Sequence, residues 1–575
     1  MATLYMAPGG GNWNGANWAT TSGGTATTTP TAADDCILDA NSGNVTVNSG
    51  SVCRSWTVNG YTGTVTHTAA VNIAIGDATA GAGNKALDFA TTGWTYTLGN
   101  ATTSSFTFVS TSGTQQTVNF NGKTPGNVTF QGIGGSFILG SALNAPSITL
   151  VITQCAFDSS NYNIDVGTWN SSGASVRSIT LGTSTVTVWA ASGTPFTQNT
   201  TTNLTFSGAN ATFVIASVGT SDRTFAGGGL TYGTLTYDVA NSPGRLIVTG
   251  ANTFTTTNFG SGRPIRLPAS TTNTTSNFNA TGVNNTASNG FVYSGGGYAA
   301  SIPDSAATSI AGDMDIRLRV AIDDWAQTGA QRLCAKYGTA TNRSWRLYHI
   351  AGVLTFDLST DGTNSSAGTA SVNVSTIPLN SGTTYWIRVT REKSTGNIKF
   401  YYTADSTTMP SSWTQIGTTR TASTSDIYDS ATINTIGGES TGTNSATGKY
   451  YWYQVRNNIL DDGTGIQIDA KFADKTWGSD SWTESSSNAA TVTLNAGAVY
   501  GDGRIYVESS SAGSAATLSK SSGTVSCDYL VLKDSAASGG ASWYAGANSI
   551  SVSGNSGWVF TAPPSTSPAA FFALF

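Results

Sequence analysis

Ser522–Ser535 reads SGTVSCDYLVLKDS, and the stretch most like it lies near the other end of the chain, at Ser49–Thr66, SGSVCRSWTVNGYTGTVT. In both, Ser-Gly leads into a valine, a cysteine, an aromatic residue and a short apolar alternation. One pattern divided by several hundred residues of different character predicts a framework that is begun early, interrupted and resumed late. The simpler alternative is tandem order, with an independent small C-terminal domain.

Composition supports a β-framework. The 575 residues are long enough for two to four domains. Only 10% are charged, while 67 are glycine. The 15 Trp, 21 Tyr and 22 Phe exclude a disordered chain, which lacks the apolar surface needed to offset ordering. Short β-branched and aromatic runs separated by Gly, Asn and Ser predict an all-β protein. A net charge of −5 provides no basic stripe for phosphate neutralisation, so no nucleic-acid partner is expected. No run of eighteen apolar residues predicts membrane insertion. The N-terminal MATLYMAPGGGNWNG lacks the basic and apolar regions of a secretion signal. The final AAFFALF suggests a terminal strand or a contact with a partner subunit.

Charge density divides the chain. Residues 1–290 carry 17 charged side chains and no glutamate, residues 291–500 carry 33, and residues 501–575 carry 7. In the first segment apolar-x-apolar triplets recur: Leu87/Phe89, Phe106/Phe108, Val118/Phe120, Val128/Phe130, Phe137/Leu139, Ile148/Leu150, Ile164/Val166, Ile179/Leu181, Leu204/Phe206, Leu235/Tyr237 and Leu246/Val248. Each places two side chains on one face of a short strand. Their spacing fits a sandwich series or a β-solenoid. Strand brevity and the polar Thr, Asn and Ser between triplets favour the solenoid.

The middle segment alternates over longer runs. In MDIRLRVAI, Met314, Ile316, Leu318, Val320 and Ile322 face one way, and Asp315, Arg317, Arg319 and Ala321 the other. Hairpins are predicted with turns at Ala351-Gly352 and at Ser394–Asn397. The expectation is an antiparallel sandwich with solvated outer surfaces.

MDIRLRVAIDDW, RSWRLYHIAGVLTFDLSTDG, GTTYWIRVTREKSTGNIKFYYTAD and GKYYWYQVRNNI together resemble the laminin-G-like, concanavalin-type jelly-roll family over about two hundred residues. GGGNWNGANWATTSGG, PTAADDCILDANSGNVTVNSGSVCRSW, YTGTVTH and the late VSCDYLVLKDSAASGGASWYAGANS resemble glycine-rich β-repeat tail fibre and minor tail proteins of tailed bacteriophages. The resemblances imply a β-repeat or β-solenoid region over 1–290, a jelly-roll sandwich over 291–500 inserted at an exposed turn, and a return to the β-repeat over 501–575.

Catalytic raw material is scarce. His67, alternating with Val65, is expected to face solvent or a polar stack, and His349 lies in a hairpin strand without a nucleophilic partner in sequence. Five scattered cysteines (Cys36, Cys53, Cys155, Cys334, Cys527) read as small buried hydrophobes, although Cys36 and Cys53 could pair. Glycoside cleavage needs two carboxylates across one bond. The only glutamates are Glu392, Glu439, Glu484 and Glu508, and the paired-glutamate strand of laminarinase relatives is missing. The adjacent pairs Asp34/Asp35, Asp323/Asp324 and Asp461/Asp462 read as turn or cap residues. No cofactor is expected. Some laminin-G-like domains bind calcium at the rim, which would fall to Asp357 and Asp361, with Asp462 as a further candidate.

Sugar binding by aromatic faces suits a jelly-roll better. The candidates are Trp325, expected to be exposed at a strand end, with Tyr348, Tyr450 and Trp452. Trp345 and Trp386 are expected in the core, and Tyr401 and Tyr453 complete the aromatic set. The resemblances imply a phage virion surface protein: a tail fibre or minor tail protein made in the host cytoplasm, a homotrimer contacting other tail or head proteins and host-surface polysaccharide. A head fibre or capsid decoration protein, and a polysaccharide-degrading tailspike, are the alternatives.

Overall fold

A computed structural model describes residues 1–564 apart from 217–220, 239–243, 261–263, 281, 283–290, 295–296, 365–367, 375–378, 443, 476–480, 496–498 and 502. The expectation for AAFFALF lies outside the described residues. Among the described residues regular structure is almost entirely strand, the two helical pieces being 3-10 turns at Ala82–Asn84 and Phe472–Asp474. No helix among the described residues is long and apolar enough to cross a membrane.

The chain forms two compact units, Met1–Gly282 with Ile505–Phe575, and Val283–Arg504. In the first, short strands pair in parallel with strands one turn of the chain later. Cys36 stands beside Trp56, Trp56 beside Leu87, Leu87 beside Val118, Phe137 beside Phe157, and Phe157 beside Ile179. Inward residues of these ladders are buried, as alternation requires. Leu204 and Phe206 are the exception among the triplets: they are only partly buried, near the start of the long strand Leu204–Ile215.

Aromatic rings continue from turn to turn inside the unit. Trp13 meets Trp18 and Trp56 at 4.8 Å each, Trp56 meets Phe89 at 5.0 Å, and Phe89 meets Phe120 at 6.2 Å. Further on, Phe108 stacks on Phe130 at 4.9 Å and Phe196 on Phe225 at 4.5 Å. Side-chain amides rung the outside at a sequence separation of 22: Asn127, Asn161 and Asn163 accept from the backbone N–H of Thr149, Thr183 and Thr185 at 2.8–3.0 Å. The parallel ladder then crosses the gap in sequence. Pro264–Leu267 pairs with Ile505–Ser509, and Thr272–Thr274 with Thr517–Ser519. Late residues thus continue the stacking of early ones.

The second unit is an antiparallel sandwich of two sheets around one apolar core. One sheet contains Met314–Ile322 between Tyr385–Glu392 and Gly448–Arg456; the other contains Gln331–Tyr337, Arg343–Ile350 and Val353–Leu358. The two-residue turn Ala351-Gly352 has φ of 47° and 75°. Those values fit the right-handed twist of the flanking strands. Gly396, at φ 71°, closes the second hairpin.

One expectation is overturned. Asp315, Arg317, Arg319 and Ala321 do not form a solvated surface; they are 0–3% exposed. Long guanidinium side chains lie flat on the sheet beneath rings and loop carboxylates, so the outer face is itself packed.

Candidate functional site

The outer face of the first sheet is organised by register. Arg317 stands opposite Arg388 on one side and Gln454 on the other, and Arg319 opposite Trp386 and Trp452. Asp315 accepts from Arg317 Nε and a terminal nitrogen at 3.0 and 2.6 Å, and from Arg388 Nε and a terminal nitrogen at 3.0 and 2.8 Å. From the loop after Arg456, Asp461 reaches back to both arginines, accepting from Arg388 at 2.9 Å and from Arg317. The Trp413 ring covers both guanidiniums, 5.5 Å from Arg317 and 5.4 Å from Arg388. Carboxylate partners raise the Arg317 pKa against the opposing effect of burial.

Beside this network lies an aromatic shelf. Trp386 is fully buried and donates Nε1–H to the Ser406 carbonyl at 2.8 Å. Half-buried Trp413 and Trp452 flank it, with ring centres 6.4 and 5.2 Å away. Trp452 donates Nε1–H to Asp469 at 2.6 Å, and Lys471 Nζ sits 4.6 Å from its ring. Apolar rings ringed by fixed donors and acceptors can stack on one face of a ligand while orienting its polar groups.

Of the predicted aromatics, Trp452 belongs to this shelf. Tyr348 lies on the other sheet, half-buried, with Arg332 4.6 Å and Arg346 5.3 Å from its ring. Trp325 is not exposed: it is 4% accessible, packed 5.0 Å from the His349 ring, and its carbonyl accepts the Gly352 N–H at 3.0 Å. The tight Ala351-Gly352 turn draws it inward. Tyr450 is fully buried, its hydroxyl donating to the Ala446 carbonyl at 3.1 Å. A shift in register along its strand turns it into the core, while Trp452 faces outward. Trp345 is in the core as expected, whereas Trp386 is buried on the outer face opposite Arg319 and not in the apolar core; Tyr453 is in the core, donating to Asn434 at 2.8 Å. Tyr401 lies half-buried, 5.4 Å from Arg388.

Sequence reasoning missed Trp413 and the arginines. The Arg-x-Arg alternation was the available signal, and it reads equally well as a solvated face.

The calcium candidates and the glutamates are committed elsewhere. Asp357 is 1% exposed and accepts from Arg346 Nε and Thr369 Oγ1, both at 2.8 Å. Exposed Asp361 caps the Thr363 N–H at 2.8 Å, and Asp462 caps Thr464 at 2.9 Å. Among the described residues no group of three His, Cys, Asp or Glu side chains gathers to hold a metal ion. Glu439 pairs with Arg332 and Arg346, Glu508 with Arg266, and Glu484 accepts four hydrogen bonds from Asp469, Ser486 and Ala490. Glu392 accepts from Thr395 Oγ1 at 2.5 Å.

His67 does not face solvent. It is fully buried, Nδ1 at 2.8 Å from the Tyr96 hydroxyl and Nε2 at 3.0 Å from the Val71 carbonyl, and burial lowers its pKa. Burial drives His349 down to about 4. The five cysteines are buried free thiols, with those of Cys155 and Cys527 pushed up to about 12 by desolvation.

No protein-family model matches the chain, and no curated protein is significantly similar to it. Among solved structures, a Bacteroides ovatus protein described as carbohydrate-binding is similar at 12% identity and TM-score 0.26, over 36% of this chain and 58% of that one. The heptameric SAP-like pentraxin of Limulus polyphemus is similar at 12% identity and TM-score 0.25, over 37% of this chain and 95% of that one. The CBM40 domain of the Ruminococcus gnavus IT-sialidase, bound to α2,3-sialyllactose, is similar at 16% identity and TM-score 0.21, over 29% and 89%. The chain therefore spans just over half the length of the first of these.

Proposed function

We propose that the protein is a non-enzymatic glycan-binding component of the surface of a tailed-bacteriophage virion, a tail fibre or minor tail protein. In this reading the parallel ladder is a β-solenoid stalk, and the laminin-G-like jelly-roll is the unit that meets host-surface polysaccharide. The observation that carries the binding half is the shelf of Trp413 and Trp452 on buried Trp386, bordered by Asp469, Lys471 and Gln454. Stacking a pyranose ring on half-buried indoles removes apolar surface from water on both partners. Single-site affinity of this kind is low, and several copies acting together, as in a homotrimer, compensate. The virion half is supported by the glycine-rich sequence patterns at the two ends of the chain.

A glycan array probed with the full chain and with Trp452→Ala tests the binding reading. The expected result is a set of bound glycans whose signal falls at least tenfold in the variant. Equal signals from both proteins would remove the shelf as the site. Immunogold labelling of intact virions tests placement: tail labelling is expected, head labelling would favour a head fibre or decoration protein, and no surface labelling would end the virion-surface reading.

A further inference from the structure

The arginine network beside the shelf gathers three buried guanidinium side chains on one sheet face. Arg317, Arg388 and Arg456 are 1%, 6% and 4% exposed, and the buried carboxylate among them is Asp315. Arg456 makes its hydrogen bonds with Gln454 Oε1 at 2.8 Å and the Leu460 carbonyl at 3.2 Å, both uncharged acceptors. Its pKa is lowered first by burial and then by Arg317, consistent with surplus positive charge. The second carboxylate on Arg317 and Arg388 is Asp461, whose side chain is 41% exposed while the side chains of the two arginines it bridges are 1% and 7% exposed. The same relationship recurs two residues along the strand: buried Arg319 is held by Asp405, 43% exposed, at 2.7 Å. Twice on one sheet face, a loop carboxylate at the solvent boundary supplies the acceptor that a buried arginine needs.

We propose that Arg317 and Arg388 form a carboxylate-binding fork for an acidic sugar, and that Asp461 occupies this fork as an internal substitute for the ligand. The inference rests on the glycan-binding reading and adds the ligand's charge class. A buried guanidinium must keep a charged or hydrogen-bonding acceptor, so the fork can exchange one carboxylate for another but cannot stand empty without cost. Paired guanidiniums match a planar carboxylate by parallel N–H donors. Asp461 approaches from the solvent side, so an outside carboxylate can take its place. The Trp413 ring over both guanidiniums then lies beside the sugar that carries the charge.

Two measurements on the full chain test this. The first is chemical rescue. Asp461→Ala is expected to melt several degrees below the parent, and acetate, compared with chloride at equal ionic strength, is expected to restore most of that loss while leaving the parent unchanged. No acetate-specific recovery would mean that the fork is closed to outside anions, and the proposal would fall. If Asp461→Ala does not fold, Asp461→Asn takes its place in the same comparison.

The second is calorimetric titration with an oligogalacturonate and with its uncharged methyl ester. The acid is expected to bind at least tenfold more tightly than the ester, Asp461→Asn to strengthen the acid alone, and Arg388→Gln to erase the acid's advantage over the ester. Equal binding of acid and ester would overturn the fork and leave the aromatic shelf standing. Loss of ester binding in Trp452→Ala reports on the shelf separately. A sulfated neutral oligosaccharide distinguishes carboxylate from sulfate recognition; preference for the sulfate would overturn the assignment of a carboxylate.

Discussion

Arg266 donates to Glu508 at 2.9 and 2.7 Å across 242 residues of sequence. Arg245 joins them, 3.6 Å from the same carboxylate oxygen. The pair sits where Pro264–Leu267 and Ile505–Ser509 run parallel in adjacent positions. The ladder is therefore continuous in space where it is broken in sequence.

That continuity makes the middle unit removable. A chain in which Val283–Arg504 is replaced by a short Gly/Ser linker should fold with a single cooperative transition and strand-rich circular dichroism. Loss of cooperativity, or dye binding typical of exposed apolar surface, would mean that the two units need each other to fold.

The aromatic interior of the parallel unit should be intolerant of cavities. Trp56 is fully buried and touches Trp13, Phe89 and Phe106. Trp56→Ala should cost about 3–5 kcal/mol in urea denaturation. A loss below about 1 kcal/mol would show that the spine collapses around the gap.

His349 sets an acid limit. Its folded pKa of about 4 lies below the ordinary value of 6.5, because burial disfavours the imidazolium. The unfolded chain therefore binds a proton that the folded one refuses, and stability falls as pH drops from 6.5 toward 4, by at most about 3 kcal/mol. His67 acts in the same direction. His349→Gln should flatten this part of the stability–pH curve; an unchanged slope would assign the acid sensitivity elsewhere.

The thiols should be silent. All five cysteines are buried, and burial raises the pKa values of Cys36, Cys155, Cys334 and Cys527. Native protein should resist maleimide at neutral pH, and guanidinium should release five equivalents. Rapid labelling of the native state would contradict the burial. Only three equivalents from the denatured protein, with two more after reduction, would reveal one disulfide, which peptide mapping would assign.

Much of the fold was legible because its signals are local. Phe106/Phe108 or Val128/Phe130 need only neighbouring residues to declare a buried strand face, and Ala351-Gly352 declares its turn by itself. The site was less legible because its partners are remote. Nothing near Arg317 announces Asp461, 144 residues onward, so the strand looks solvated until the loop is in place. Trp325 misled for the same reason: its neighbours in sequence are aspartates, whereas its neighbours in space are His349 and Gly352.

The bond between early and late strands also has a consequence in time. A ribosome adding roughly 5–20 residues per second needs on the order of 10–50 s to pass from Arg266 to Glu508. Throughout that interval the nascent chain carries Pro264–Leu267 without its eventual neighbour, a bare strand edge of the kind that recruits stray chains. Crowded synthesis of many copies at once would therefore favour mispairing at that edge, and a chaperone acting there would be needed only until the last seventy residues emerge.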